Sequence, residues 1–458
     1  MGIGKTRHEV DMTTGSILPK IMKFALPLMA TSVLQLLFNT ADMMVVGQFV
    51  GDIALAAVGA TSNIVHIMVN FFIGLSVGAG VVMARRYGAK NEDGAKELVH
   101  TAMPLSLLLG VCICVLGIFF ADPLLRMLDT PENVFPLSSL YLKIYFMGAP
   151  FLMIYNFGAS ILRAIGDTVR PLIYLTIAGI MNVAVNIVTV TVFNMGVEGV
   201  AYATVTSQAV SAVLVLICML KEKGYARFEV RKSAIRMQTL GQILKMGVPS
   251  GIQTSLTSVS SAIIQKTING FGDVALAGNT AAQNVEAFAF VIMAAVASAA
   301  ATAVGQNYGA GNMERIKKAV FRCLICSFGV FACMFTVVYL LREPLILLFV
   351  KNPQSIEIAK QRIVIVCGTC FMFGLIDVLT QSMRGMGFST LPMLITLVGT
   401  CVLRVVWVYT LFPLTPVYGN AIFSYPVSWI ITLAVSALVF IFVFALRKKQ
   451  IKRLEDMK

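Results

Sequence analysis

The sequence predicts an all-α polytopic membrane protein: twelve transmembrane helices in two homologous six-helix bundles facing a central cavity. Three observations carry that reading: an excess of apolar residues, twelve long apolar runs, and an internal repeat. Of the 458 residues 58% are hydrophobic and only 13% are charged, with mean hydropathy +0.84. A soluble chain of this length needs far more charge to cover its surface. A helix crosses the bilayer in about 20 apolar residues. Runs that long cover 21–49, 53–83, 98–121, 137–162, 170–194 and 198–220, then 243–270, 275–304, 319–341, 356–383, 390–413 and 419–446. None alternates as a barrel strand does.

The repeat is legible as four aligned blocks. YGAKNEDGAKE (87–97) matches YGAGNMERIKK (308–318), and GDIALAAVGATSN (51–63) matches GDVALAGNTAAQN (272–284). LRAIGDTVRP (162–171) matches MRGMGFSTLP (383–392), and DPLL (122–125) matches EPLI (343–346). Every pair is 221 residues apart, so one half is written twice. Each half holds an even number of runs, so both enter the membrane in the same sense. The expected organisation is an N-terminal arm (1–20), a first lobe (21–220), a basic linker (221–242), a second lobe (243–446) and a basic tail (447–458). Two such bundles that rock about a shared cleft suit a carrier better than an enzyme.

Charge sets the orientation. With both termini inside, 28 of the 36 Lys and Arg fall in or beside cytoplasmic segments, which favours cytoplasmic N- and C-termini in the cell (plasma) membrane. The net charge of +14 then belongs beside anionic membrane lipids and calls for no nucleic acid. GIGKT (2–6) lacks the upstream Gly and strand of a phosphate-binding loop, and the arm shows no cleavable signal. The loose myristoylation match of MGIGKT adds nothing to a chain with twelve spans. The nine cysteines all lie in apolar runs and read as small buried residues; His8, His66 and His100 form no cluster. No catalytic constellation, metal set or cofactor motif is present, so an enzyme is not expected.

At VGQNYGAGN (304–312), ADMMVVGQFVG (41–51), LRAIGDT (162–168) and NMGVEGVAYAT (194–204), the sequence resembles the multidrug and toxic compound extrusion (MATE) family over about residues 15–446. The resemblance implies two six-helix lobes around a cavity. It also implies a monomeric antiporter that expels small amphipathic, often cationic organic compounds in exchange for H+ or Na+. On elementary grounds, Gly88 and Gly309 offer a positive-φ helix stop after interfacial Tyr87 and Tyr308. Arg163 and Arg384 read as anchors at helix ends.

Charges inside the runs are the candidate sites, because each costs about 2.5–3.5 kcal/mol at mid-bilayer unless it faces a cavity or a partner. Asp42 in the first run matches the acidic residue that the resemblance implicates in cation or proton coupling. Asn182 and Asn186, one turn apart, offer polar company in the same half. At about 1.5 Å per residue, Asp42 and Asn186 each lie roughly 12 Å below the outer surface, so they can meet. Asn156 counts as deeper. Relatives that carry a carboxylate where this chain has Asn186 have one more charge there, so a Na+ site near Asp42 is left open but weakened. In the second half Asp377 is the repeat counterpart of Asn156. Thr257 stands on the seventh run where cation-coupled relatives often carry Glu. Glu286 and Arg404 match in depth to about 3 Å, which suggests a pair, either permanent or broken by protonation. Lys266, near the outer end of its run, can snorkel.

The expected mechanism has Asp42 change its ionisation between states, worth about 1.4 kcal/mol per unit of pKa difference. The 25 Met and 29 Phe could form an adaptable cavity or simply pack helices. A lipid-linked saccharide flippase of the same superfamily remains the alternative and would want a strongly basic cavity. A receptor or a membrane-embedded enzyme is the remoter one.

Overall fold

The structure is a computed structural model that describes residues 9–128 and 130–456, without side-chain surroundings for Asp52, Asn63, His66 and residues 452–456. GIGKT, His8 and the start of the arm lie outside the described residues, as does the end of the tail. Among the described residues no strand forms. The chain folds as α1 (Ile17–Val45), α2 (Asp52–Gly88), α3 (Glu92–Met127), α4 (Phe135–Met147), α5 (Ala149–Ala164), α6 (Val169–Thr191), α7 (Val197–Lys221) and α8 (Met237–Asn269). The second half follows as α9 (Asp273–Gly309), α10 (Met313–Leu340), α11 (Arg342–Leu347), α12 (Pro353–Arg362), α13 (Phe371–Gly385), α14 (Thr390–Thr396), α15 (Leu403–Thr410) and α16 (Tyr418–Asp456).

Ten helical stretches among the described residues are long and apolar enough to cross a membrane, and α4–α5 adds an eleventh. That pair bends by 46° around Gly148, where Pro150 in the first turn of α5 removes an amide donor. The run 243–270 falls in α8, which is long enough at 33 residues but diluted by Ser, Thr and Gln.

Two compact units emerge. One is Ala30–Gly251 with the segment ending at Asp11; the other is Ile252–Lys458 with Met12–Met29. The unit boundaries within α1 and α8 fall within three residues of Pro27 and Pro249, the residues that interrupt each helix's amide ladder. In the first unit, Leu98, Met153, Phe157, Leu162 and Met219 build the core. In the second, Met293, Ile363, Val366, Ile422 and Trp429 do.

Glycine explains why the start of α8 stays with the first unit. Gly74 and Gly78 of α2 lie on Gly247 and Gly251 of α8, and a Cβ on Gly74 would sit 2.5 Å from the Gly251 backbone. Small residues one turn apart let two helix backbones touch, where dispersion substitutes for the hydrophobic drive that lipid cannot supply.

The repeat is written in the backbone. Gly51 and Gly272 have φ +110° and +87°, Gly166 and Gly387 +95° and +91°, and Lys90 and Gly311 +54° and +74°. Asn91 and Asn312 cap α3 and α10 by accepting from the amides of Gly94 and Arg315. The positive-φ stop thus lies two residues past the expected Gly88 and Gly309, which are still helical. The amides of Asn91 and Asn312 reach back to the carbonyls of Arg86 and Asn307, which is the six-to-one bond of a Schellman end. All nine thiols are free; Cys112 and its repeat counterpart Cys333 are exposed rather than buried.

The linker is docked on the first unit. His100 Nε2 accepts the Glu229 amide at 3.1 Å, and the His100 carbonyl accepts the Ala234 amide at 3.3 Å. Thr101 Oγ1 donates to the Ala234 carbonyl at 3.2 Å. Thr239 Oγ1 donates to Glu97 at 2.5 Å, and Arg236 pairs with the same carboxylate at 3.4 Å.

Candidate functional site

In the first unit α1 and α6 bring Asp42 and Asn186 together. The approach is set one turn away: a methyl on Gly179 of α6 would overlap the Phe38 ring of α1, so only glycine lets the helices come this close. Phe38 and Asp42 are four residues apart, as are Asn182 and Asn186, and each pair therefore shares a face. Asn186 Nδ2 donates to Asp42 Oδ1 at 2.5 Å and leans on Asn182 Oδ1 at 3.5 Å. Asn186 is fully buried, Asn182 nearly so, and Asp42 half-buried. Tyr141 of α4 lies within electrostatic reach of the carboxylate. Just beyond Asp42 the helix passes into a π-turn, Val46–Val50, closed by the Gly51 amide on the Val46 carbonyl. Such widened turns recur at functional sites.

Asn186 Oδ1 is buried without a hydrogen-bond partner among the described residues. An ionised Asp42 can only accept; a protonated one can also donate. Asn156 is not drawn into this group, since its Nδ2 donates to the Leu152 carbonyl of its own helix at 2.9 Å. The oxygens of Asp42, Asn182 and Asn186 fall short of the six or so a hard cation gathers, so water would have to complete a Na+ shell.

The second unit holds a different constellation, and it corrects the expected Glu286–Arg404 pair. Glu286 on α9 pairs with Arg362 of α12, whose Nε and guanidinium nitrogen both donate to Oε2, at 3.2 and 3.0 Å. Both side chains are 3% exposed or less. Arg362 also donates to Asn279 Oδ1 at 2.9 Å, which accepts the Tyr418 hydroxyl at 3.0 Å. Arg404 instead donates to Ser428 Oγ at 3.0 Å and lies over the Tyr425 ring, its Cζ 4.2 Å from the centroid. Arg362 approaches the same ring at 5.2 Å, so Tyr425 serves two guanidinium groups. Matching depths do not define which way two side chains face. Arg362 and Arg404 are both buried, and both approach Tyr425.

Asp377 on α13 is half-buried, within electrostatic reach of Arg384, and forms no ion pair among the described residues. Arg384 is buried at 4% exposure and donates to Gln253 Oε1 at 2.5 Å, while Gln253 donates to Thr396. Thr257 bonds the Gln253 carbonyl of its own helix. Arg163 is half-buried and Lys266 exposed.

The comparisons agree with this architecture. The MatE family model matches residues 27–188 and 249–410, one match per half. A probable multidrug resistance protein of Bacillus subtilis, YpnP, is 28% identical over 86% of this chain and 88% of its own length. The probable multidrug resistance protein NorM of Thermotoga maritima is 28% identical over 83% of this chain and 82% of its own. A solved structure, the outward-facing conformation of a multidrug resistance MATE family transporter, covers 97% of this chain and 100% of its own with TM-score 0.91 at 22% identity. At that identity the likeness speaks for the fold alone.

Proposed function

Because the chain belongs to the MatE family of membrane transporters, we propose that it is a secondary active exporter of small amphipathic, often cationic compounds, driven by inward proton movement through Asp42. The observation that carries the reading is the Asp42–Asn186 contact beside an unpartnered amide oxygen. Ionised Asp42 holds the Asn186 amide as an acceptor and presents negative charge. Once protonated it loses that charge and gains a donor, so the same pair favours a different arrangement of α1 and α6. α1 is well placed to convey this, since the chain passes within it from one compact unit to the other after Pro27. A ligand can shift such an equilibrium only by its differential affinity for the two states. The proton supplies that difference by changing what Asp42 can accept and donate.

The relatives' names support drugs as cargo. Among the described residues, the side-chain oxygens of Asp42, Asn182 and Asn186 are fewer than a hard cation gathers, which supports H+ over Na+. The lipid-linked saccharide alternative draws little support, because Arg362 is committed to Glu286 and Arg404 to Ser428 and Tyr425. The test is dye efflux from proteoliposomes under separately imposed H+ and Na+ gradients. Wild-type protein should respond to the pH gradient and Asp42→Asn should lose that response. Efflux by Asp42→Asn at the wild-type rate would remove Asp42 from coupling, and a response to Na+ alone would replace the proton.

A further inference from the structure

We propose that the second unit carries a specific site for the phosphate headgroup of an anionic membrane lipid, in the cleft between the start of α1 and the first three turns of α10. The cleft encloses about 560 Å³. Lys318 and Arg322 of α10 and the Ile17 and Leu18 side chains of α1 line it, with Phe321 beside them. Lys318 and Arg322 are one turn apart and exposed, and neither makes a hydrogen bond or ion pair among the described residues. Phe321 is 61% exposed, and Ile325 and Phe328 continue its exposed face down the helix. A basic cleft that opens onto an apolar stripe matches a phosphate attached to acyl chains.

The repeat shows why this face is available. In the aligned blocks 87–97 and 308–318, Glu97 corresponds to Lys318, and at the same spacing His100 and Thr101 correspond to Phe321 and Arg322. In the first unit those three residues are covered by the linker, through Ala234, Arg236 and Thr239, and His100 and Thr101 are 8% and 0% exposed. In the second unit the corresponding arm takes another path. The Met12 amide donates to Gln306 Oε1, and Arg315 donates to the carbonyls of Met12, Thr14 and Gly15. The α10 face beyond Arg315 stays open.

Its charge is also reversed. The first unit uses a carboxylate to receive a basic peptide; the second presents two cations at the same positions. Placement of the headgroup in the inner leaflet rests on the cytoplasmic assignment of the N-terminus; the binding itself does not rest on transport.

The experiment uses full-length protein stripped of lipid in uncharged detergent. Binding of phosphatidylglycerol, phosphatidylcholine and inorganic phosphate is measured by native mass spectrometry on wild type, Lys318→Gln/Arg322→Gln and the neighbouring control Lys317→Gln. Phosphatidylglycerol should bind wild type and Lys317→Gln about tenfold more tightly than phosphatidylcholine, and the double variant should lose that preference. Three results would overturn the site: a double variant that keeps the preference, equal affinity for phosphatidylcholine, or occupation by free phosphate as strong as by the lipid. Melting temperature reports whether the double variant is folded, and Lys318→Glu alone, at an exposed position, supplies an independent second reading of charge.

Discussion

Removing Arg362 should cost the second unit far more than removing both members of its ion pair. Glu286 Oε1 already has no partner among the described residues, and Oε2 relies on two guanidinium contacts at 3.2 and 3.0 Å. Arg362→Met would leave a carboxylate at 2% exposure with no donor at all, a loss of about 3–5 kcal/mol for an uncompensated buried charge. Glu286→Gln is milder, about 1.5–3 kcal/mol, because Arg362 keeps Asn279 Oδ1 at 2.9 Å and the Tyr425 face. The double variant removes both charges and should lie within about 2 kcal/mol of wild type. Thermal unfolding of purified protein checks the ordering. At about 2–4 °C per kcal/mol, Arg362→Met should melt roughly 10 °C below wild type and above it should lie the double variant. Single effects that simply add in the double variant, within about 0.5 kcal/mol, would show that the two side chains do not depend on each other. Gradient-driven efflux in the same double variant decides the second question: retained transport makes the pair structural, and abolished transport in a folded protein makes it a switch.

Three further outcomes follow from other contacts. Gly78→Val places branched carbon against the Gly247 amide, where even a Cβ would come to 2.6 Å, so α2 and α8 must separate; a loss of at least about 1–3 kcal/mol is expected as a lower melting temperature, and an unchanged melt would refute the backbone contact. His100 Nε2 accepts the Glu229 amide at 3.1 Å and so helps to hold the linker on α3. Tryptic cleavage at Arg231 should therefore be faster in His100→Leu than in wild type at a single pH, because the amide then loses its acceptor; equal rates would mean the imidazole does not hold the linker. Asn186→Ala removes the one side-chain donor to Asp42 among the described residues while leaving the carboxylate, so the pH dependence of efflux should shift without loss of maximal transport; an unmoved profile would separate the amide from coupling.

What sequence reasoning could and could not reach divides along a physical line. Run length and hydropathy report how far along a helix a residue lies, because each residue advances the axis by a fixed rise. Direction around the helix needs phase, and phase is what this chain alters. Asp42 and Asn186 were reachable because Asn182 and Asn186, four apart, mark one face of α6, and Gly179 lies on that side of the same helix. Glu286 and Arg404 matched in depth, yet Arg404 follows the π-turn Leu397–Val402 and Arg362 precedes the π-turn Ile363–Cys367. Each π-turn accommodates one extra residue, which rotates everything beyond it by about 100° relative to a regular count at 3.6 residues per turn. A single inserted residue shifts depth by about 1.5 Å, within the error of any boundary, but changes which neighbour a side chain meets. The covered linker is hidden for a related reason: its basic residues read as charge beside anionic lipid, and nothing in composition says that Thr101 and His100 turn their polar atoms toward it. The same logic makes the second unit's open α10 face informative, since there the repeat holds the helix phase constant and changes only the residues, so the reversal from Glu97 to Lys318 is a change of chemistry at one fixed place.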